Sequence, residues 1–167
     1  MATNNRAVVI GVGGVTNGGK TTLAAKLKET FQTAKIINMD HYYWDEFSPN
    51  HTPLEQFNNY ANWEVCTAVD FDRLRRDVEN WIKGTKESDS LPLLLVEGIL
   101  IYNHRPLLPY FSKKYFFTLD HEECWKRRKQ RTYLPPEPEG YFEAIAWPYY
   151  LTNKRAIQDQ SDIVYLS

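Results

Sequence analysis

Gly14-Val15-Thr16-Asn17-Gly18-Gly19-Lys20-Thr21 stands between an apolar run, Ala7 to Val12, and a stretch with helical character from Lys20 to about Phe31. The order strand, glycine-rich loop, helix is the context in which a Gly-x-x-x-x-Gly-Lys-Thr segment grips phosphate. Glycine lets the backbone curl until several N–H groups face one anion, where a Cβ would obstruct it. The start of the following helix adds its partial positive charge. In this reading Gly14, Thr16, Asn17, Gly18, Gly19 and Thr22 frame the phosphates of a nucleotide. Lys20 reaches the β- and γ-phosphates, and the Thr21 hydroxyl ligates Mg²⁺.

Outward from the loop, short apolar runs alternate with amphipathic stretches. Strands are expected at Ile36-Ile37 with their flanks, ending at Met39-Asp40, at Leu93 to Val96, at Tyr115 to Leu119 and at Ile163 to Leu166. Phe71, Leu74, Val78 and Ile82 recur at helical spacing. Asp120, three residues before Glu123, opens a further helix as its cap. That helix is expected to run through Lys126-Arg127-Arg128-Lys129 toward Tyr133 and to stop at Pro135-Pro136. Another is expected from Tyr150 to Gln158. His41 to Asn62 reads as a long loop facing a ligand, and Gly84 to Ser90 as a polar surface loop. The whole predicts an α/β fold in one domain spanning residues 1–167, with a parallel sheet covered on both faces.

Composition narrows the function classes. Lys and Arg number 20 against 21 Asp and Glu, a net charge of −1, so no global basic field exists to hold nucleic acid. Leu91 to Tyr102 is the most apolar stretch, but Glu97 interrupts it and it is too short to span a bilayer. The first six residues have no signal-peptide layout. Cys66 and Cys124 lack metal-ligand spacing and read as reduced thiols. Cytoplasm or nucleoplasm is the expected compartment, with no membrane partner and a monomer or weak dimer as the expected state.

In open α/β sheets ligands sit beyond the carboxyl ends of the strands, so acids there are candidates for chemistry. Asp40 follows the second strand, placed to accept a proton from an attacking hydroxyl, to bind the metal, or both. Glu97 ends an apolar run, where a carboxylate can hold Mg²⁺ directly or through water and is costly to bury unpartnered. Lys126, Arg127, Arg128, Lys129 and Arg131 put five cations into six positions. Besides a solvated helix face or a nucleic-acid patch, they suit a lid that brings arginines to a transferring phosphoryl group. The spacing lets Arg131 share a helix face with Arg127 or Arg128. A GTPase base-reading Asn-Lys-x-Asp is missing: Asn153-Lys154-Arg155-Ala156 lacks the aspartate.

These residues resemble the nicotinamide riboside kinases, relatives of uridine kinase among the P-loop kinases. The likeness rests on residues 14–22, on Asp40 followed by aromatics, and on Val96-Glu97-Gly98. It continues in Glu122-Glu123-Cys124 with the arginine-rich stretch, in Arg131 to Pro136, in Gly140-Tyr141-Phe142, and in Trp147-Pro148-x-Tyr150-Leu151. The resemblance implies a three-layer P-loop kinase fold with a five-stranded parallel sheet and a short helical lid. It implies transfer of phosphate from ATP, with Mg²⁺, to the ribose 5′-hydroxyl of nicotinamide riboside and of nicotinic acid riboside, for NAD synthesis. Asp40 is then proton acceptor and, with Thr21, a metal ligand, and Arg128 binds ribose hydroxyls. Tyr133 lies against the nicotinamide ring, in a substrate site that also takes Tyr43 and Trp63. Arg127 and Arg131 serve ATP and the transferred phosphate. A uridine or cytidine kinase, or a nucleotide-binding protein without turnover, are the competing expectations.

Two departures from the family pattern stand out. Trp63-Glu64 replaces an aromatic-aspartate pair, and the extra methylene of Glu64 can shift the sugar it is expected to hold. The family continues past the position of Ser167 with an adenine-contacting loop and a final helix. Their absence from this chain leads to an expected loss of ATP affinity.

Overall fold

The computed structural model describes residues 7–86 and 91–167. The expectations for the first six residues, and for the last four of the loop from Gly84 to Ser90, lie outside the described residues.

Five parallel strands form the central sheet. They are β1 (Val8–Gly14), β2 (Lys35–Asn38), β5 (Leu93–Glu97), β6 (Lys113–Phe117) and β7 (Ile163–Leu166), in the order β2-β5-β1-β6-β7. Alternation explains why the sheet is covered on both sides. Val9, Leu94 and Val96 pack with Leu74 and Val78 of helix α2 (Phe71–Gly84), while Val8, Ile10, Leu93 and Leu95 pack with Ala24 and Leu27 of α1 (Lys20–Thr30). A strand buried on both faces needs an uninterrupted apolar run, which β5 supplies.

Pairing of β1 with β5 and β6 aligns Val12 with Glu97 and Gly14 with Phe117. The strand ends therefore release the phosphate-type loop, Asn38 and Glu97 along one edge. Gly14 has φ +123°, and a Cβ there would strike the Phe117 backbone. Gly19 caps α1 at φ 101° with no side-chain cap bond, and no acid occupies the first turn. By contrast, Asp70 and Asp120 cap α2 and α3 (His121–Arg128) through bonds of 2.9 and 2.8 Å to the N–H groups of Arg73 and Glu123. Of these three helix starts, α1 is the one whose first N–H groups and dipole have no side chain of their own to answer them.

Several expectations are corrected. α3 ends at Arg128 rather than running toward Tyr133, because Gln130 and Arg131 turn back to the carbonyls of Arg127 and Arg128 at 3.2 and 3.0 Å. Pro135 and Pro136 have no N–H with which to resume it. The lid is thus the end of α3 plus a turn-rich segment, and Arg131 shares no helix face with Arg127 or Arg128. β6 begins at Lys113, two residues before the apolar run. Its Lys114 is buried yet ion-paired to Asp162 at 2.7 Å, a partner that hydrophobicity alone does not reveal. The helix expected from Tyr150 is α4 (Trp147–Arg155), entered from a π-helical turn, Phe142–Ala146. The loop from His41 to Asn62 contains a hairpin of β3 (Pro53–Leu54) and β4 (Tyr60–Ala61), too short to leave a periodic signal.

Gly14→Ala should destabilise the protein by on the order of 1–3 kcal/mol, the usual cost of a strained backbone position. Urea unfolding reads it, and a wild-type midpoint would show that Phe117 does not constrain the loop.

Candidate active site

Beyond the carboxyl ends of β1, β2 and β5 lies a cavity of about 790 Å³. Thr16, Asn17, Lys20, Thr21, Asp40, Tyr43, Trp63, Glu64, Glu97, Arg128, Arg131 and Tyr133 all line it. Residues as far apart in sequence as the glycine loop, the second strand end and the basic segment thus line one cavity. Gly14, Gly18, Gly19, Thr22 and Arg127 stand outside the wall; Gly14, Gly18 and Gly19 shape the loop, Thr22 faces outward from α1, and Arg127 grips the loop from outside.

The phosphate-type loop is held from within. Lys20 is buried, and its Nζ donates to the Val15 carbonyl at 2.7 Å. Burial lowers its pKa to about 8, against the opposing pull of Asp40 and Glu97. Thr21 Oγ1 donates to Glu97 Oε2 at 2.9 Å, and Asn38 Nδ2 donates to Glu97 Oε1 at 3.0 Å. Glu97, only 2% exposed, is therefore a carboxylate with both oxygens engaged. Burial raises its pKa, while the Thr21 hydroxyl and Lys20 pull it down. Asn38 also accepts from the Asp40 N–H at 2.8 Å, so one amide orients both acids of this corner.

Among the described residues no group of three or more His, Cys, Asp or Glu side chains forms a metal cage. The oxygens of Thr21, Asp40 and Glu97 are nonetheless hard donors gathered on one cavity wall. That set fits Mg²⁺, which typically takes one or two carboxylates and completes its shell with phosphate and water.

The basic segment grips the loop rather than solvent. Arg127 Nη1 donates to the Asn17 carbonyl at 3.3 Å, and Arg131 Nη1 donates to Asn17 Oδ1 at 3.2 Å. Asn17, at φ 58°, also donates through Nδ2 to the Tyr133 hydroxyl at 3.2 Å. Arg128 turns the other way, is 5% exposed, and donates through Nη1 to Thr16 Oγ1 at 3.1 Å. Its guanidinium lies 4.7 Å from the Tyr133 ring centroid. Its Nε and Nη2 engage both carboxylate oxygens of Glu137.

The far wall is aromatic and acidic. Tyr43 donates to the Trp63 carbonyl at 3.0 Å and meets the Trp63 ring edge-on, and the Trp63 backbone N–H donates to the Tyr141 hydroxyl at 3.2 Å. Glu64 is 6% exposed, and its nearest cation is Arg128 Nη2 at 3.9 Å. Burial raises its pKa to about 7, partly offset by Arg128. Sequence reading missed Asn38, Tyr60, Tyr141 and Glu137 among the lining residues. Asn38 could have been found as the side-chain cap of the turn carrying Asp40. Glu137 gives no local signal, since its partner lies nine residues back.

A carboxyl with a raised folded-state pKa stabilises the native state most below its unfolded value, and that contribution is lost as pH rises through about 7. Glu64→Gln removes this dependence. Relative to wild type, its unfolding midpoint should rise as pH moves from about 5 to about 8. An equal difference at both pH values would show that Glu64 is ionised throughout.

No family model matches the chain. Nicotinamide riboside kinase 1 of Rattus norvegicus is 35% identical over 171 residues, covering 96% of this chain and 86% of the relative. A uridine kinase of Chlamydia pneumoniae is 28% identical over 144 residues, covering 74% and 63%. A solved structure assigned provisionally as a fructose transport system kinase of Silicibacter superposes with a TM-score of 0.66 at 16% identity, covering 100% of this chain and 93% of that one, and shares the fold. With the rat enzyme matched across nearly its whole length, this chain belongs to the nicotinamide riboside kinase family.

Proposed function

We propose that this chain transfers the γ-phosphoryl group of ATP to the 5′-hydroxyl of nicotinamide riboside, and of nicotinic acid riboside, within a single domain. The observation that carries this reading is that one cavity is lined by two sets of side chains, the first Lys20, Thr21 and Arg131, the second aromatics and buried acids. Phosphate suits the first set. A pyridinium cation suits the second, through cation–π attraction to its aromatic rings. A neutral pyrimidine would draw no such benefit.

In this reading Asp40 accepts the proton of the 5′-hydroxyl. The oxygen forms its bond to the γ-phosphorus while the bond to the β–γ bridging oxygen breaks, and ADP leaves with that electron pair. Lys20 and Arg131 offset the charge spread over the phosphoryl oxygens. The loop N–H groups from Gly14 to Thr22 hold the phosphates, and Arg127 braces the loop from outside. Thr21, Asp40 and Glu97 would hold Mg²⁺, which neutralises charge on the β- and γ-oxygens. Arg128 and Glu64 take the ribose hydroxyls, and Tyr43, Trp63 and Tyr133 enclose the base. Among the described residues no helix is long and apolar enough to cross a membrane.

Incubation with Mg-ATP and a riboside panel, read by product mass and ADP release, tests the proposal. Nicotinamide mononucleotide should form in preference to uridine monophosphate. Preference for uridine, or ATP binding with no transfer to any riboside, would overturn it. Lys20→Ala and Asp40→Ala should each lower turnover by roughly 10²-fold or more. Substantial residual turnover in Asp40→Ala would remove it as the base.

A further inference from the structure

We infer that Glu137 is a positioning residue: its carboxylate fixes the Arg128 guanidinium and closes the lid segment between them. The inference rests on the proposed function only where it concerns riboside binding; the hold of Glu137 on Arg128 stands on geometry.

Arg128 ends α3, and Glu137 follows Pro135-Pro136. Both Glu137 oxygens engage Arg128, with Nε at 3.1 and 3.0 Å and Nη2 closing the fork. A two-point contact fixes the plane of the guanidinium as well as its place, which a single contact cannot do. The side chains of Arg128 and Glu137 are 5% and 17% exposed, so water offers little competition. The contact closes the chain from 128 to 137 into a loop that carries Arg131, Thr132, Tyr133 and Leu134 to the cavity. It also leaves Arg128 Nη1 on Thr16 at 3.1 Å, so the same guanidinium joins lid to phosphate-type loop.

Glu64 is the rival. It lies 3.9 Å from Arg128 Nη2, too far for a hydrogen bond. Facing it are Arg128 and the Cys124 thiol from α3, Glu137 from the lid, Lys20 from α1, Asp40 from the turn after β2, and the hydroxyl groups of Tyr43, Tyr60 and Tyr141. While Glu137 holds Arg128, Glu64 has a shared cation at arm's length and a second carboxylate nearby. Without Glu137, Arg128 is free to pair with Glu64, and Glu64 ionises more readily.

Glu137→Gln and Glu137→Asp in the full chain test the inference, with nicotinamide riboside and Mg-ATP as the probes. Glu137→Gln should raise the KM for the riboside by about tenfold or more, the usual effect of losing a charged hydrogen-bond pair, with the KM for ATP changed by less than about threefold. Glu137→Asp, one methylene shorter, should recover part of the loss. Independently of turnover, the change in urea midpoint of Glu137→Gln between about pH 5 and about pH 8 should be smaller than that of wild type, because Glu64 then ionises at lower pH. A wild-type riboside KM in Glu137→Gln, or an unchanged pH response, overturns the inference while leaving the kinase reading intact. If the wild type phosphorylates no riboside, the kinase reading fails and the pH response alone decides whether Glu137 governs Arg128. Should Glu137→Gln fail to fold, Glu137→Asp carries both measurements, and wild-type values there overturn the inference.

Discussion

Parallel pairing of β1 with β5 on one side and β6 on the other is the constraint from which the site follows. Parallel strands share a direction, so their carboxyl ends open on one edge. Val12 opposite Glu97 sets the acid level with the root of the glycine loop, and Asn38 opposite Glu97 brings the second strand to the same height. Gly14 opposite Phe117 then forces the chain to turn where side chains would collide with backbone. The loop ends on an uncapped helix, and two of the three helix starts compared above satisfy their own N–H groups with aspartate. Anion affinity at α1 is thus a consequence of what the sequence withholds there.

Charge in the cavity is arranged in two compartments. Near the loop, the buried ammonium of Lys20 is set against Asp40 and Glu97, and Arg131 stands at the entrance through Asn17. On the far wall one arginine faces two carboxylates, Glu137 in contact and Glu64 at a remove. Asn17 ties the compartments together, bonding Arg127, Arg131 and Tyr133 with the atoms of a single residue. A change in the loop on binding an anion would reach Tyr133 and the aromatic lining through that residue. Coupling of this kind needs no long pathway, because the loop and the lid already touch.

Much of this was legible in the chain of residues. Continuous apolar runs marked β1, β5 and β7, and the glycine loop between strand and helix set the fold class. Asp40 and Glu97 stand out in the sequence because the ends of parallel strands are where ligands sit, and both line the cavity. What escaped was tertiary. Lys114 reads as a polar interruption until Asp162 neutralises it, so β6 began two residues early. α3 stopped at Arg128 because i-to-i+3 turns and two prolines outweigh the helical propensity of a basic run. Glu137 has no periodicity or motif of its own, and its importance appears only when the segment folds back onto Arg128. The resemblance of residues 122–151 to the riboside kinases pointed to the segment but not to this contact.

A structure of the complex with ADP and nicotinamide mononucleotide tests most directly that one cavity joins donor and acceptor. The account predicts the mononucleotide phosphate between Lys20 and Arg131, its 5′-oxygen against Asp40, and its ring against Tyr133. A mononucleotide seated away from Asp40, or a ring outside the wall formed by Tyr43, Trp63 and Tyr133, would contradict it.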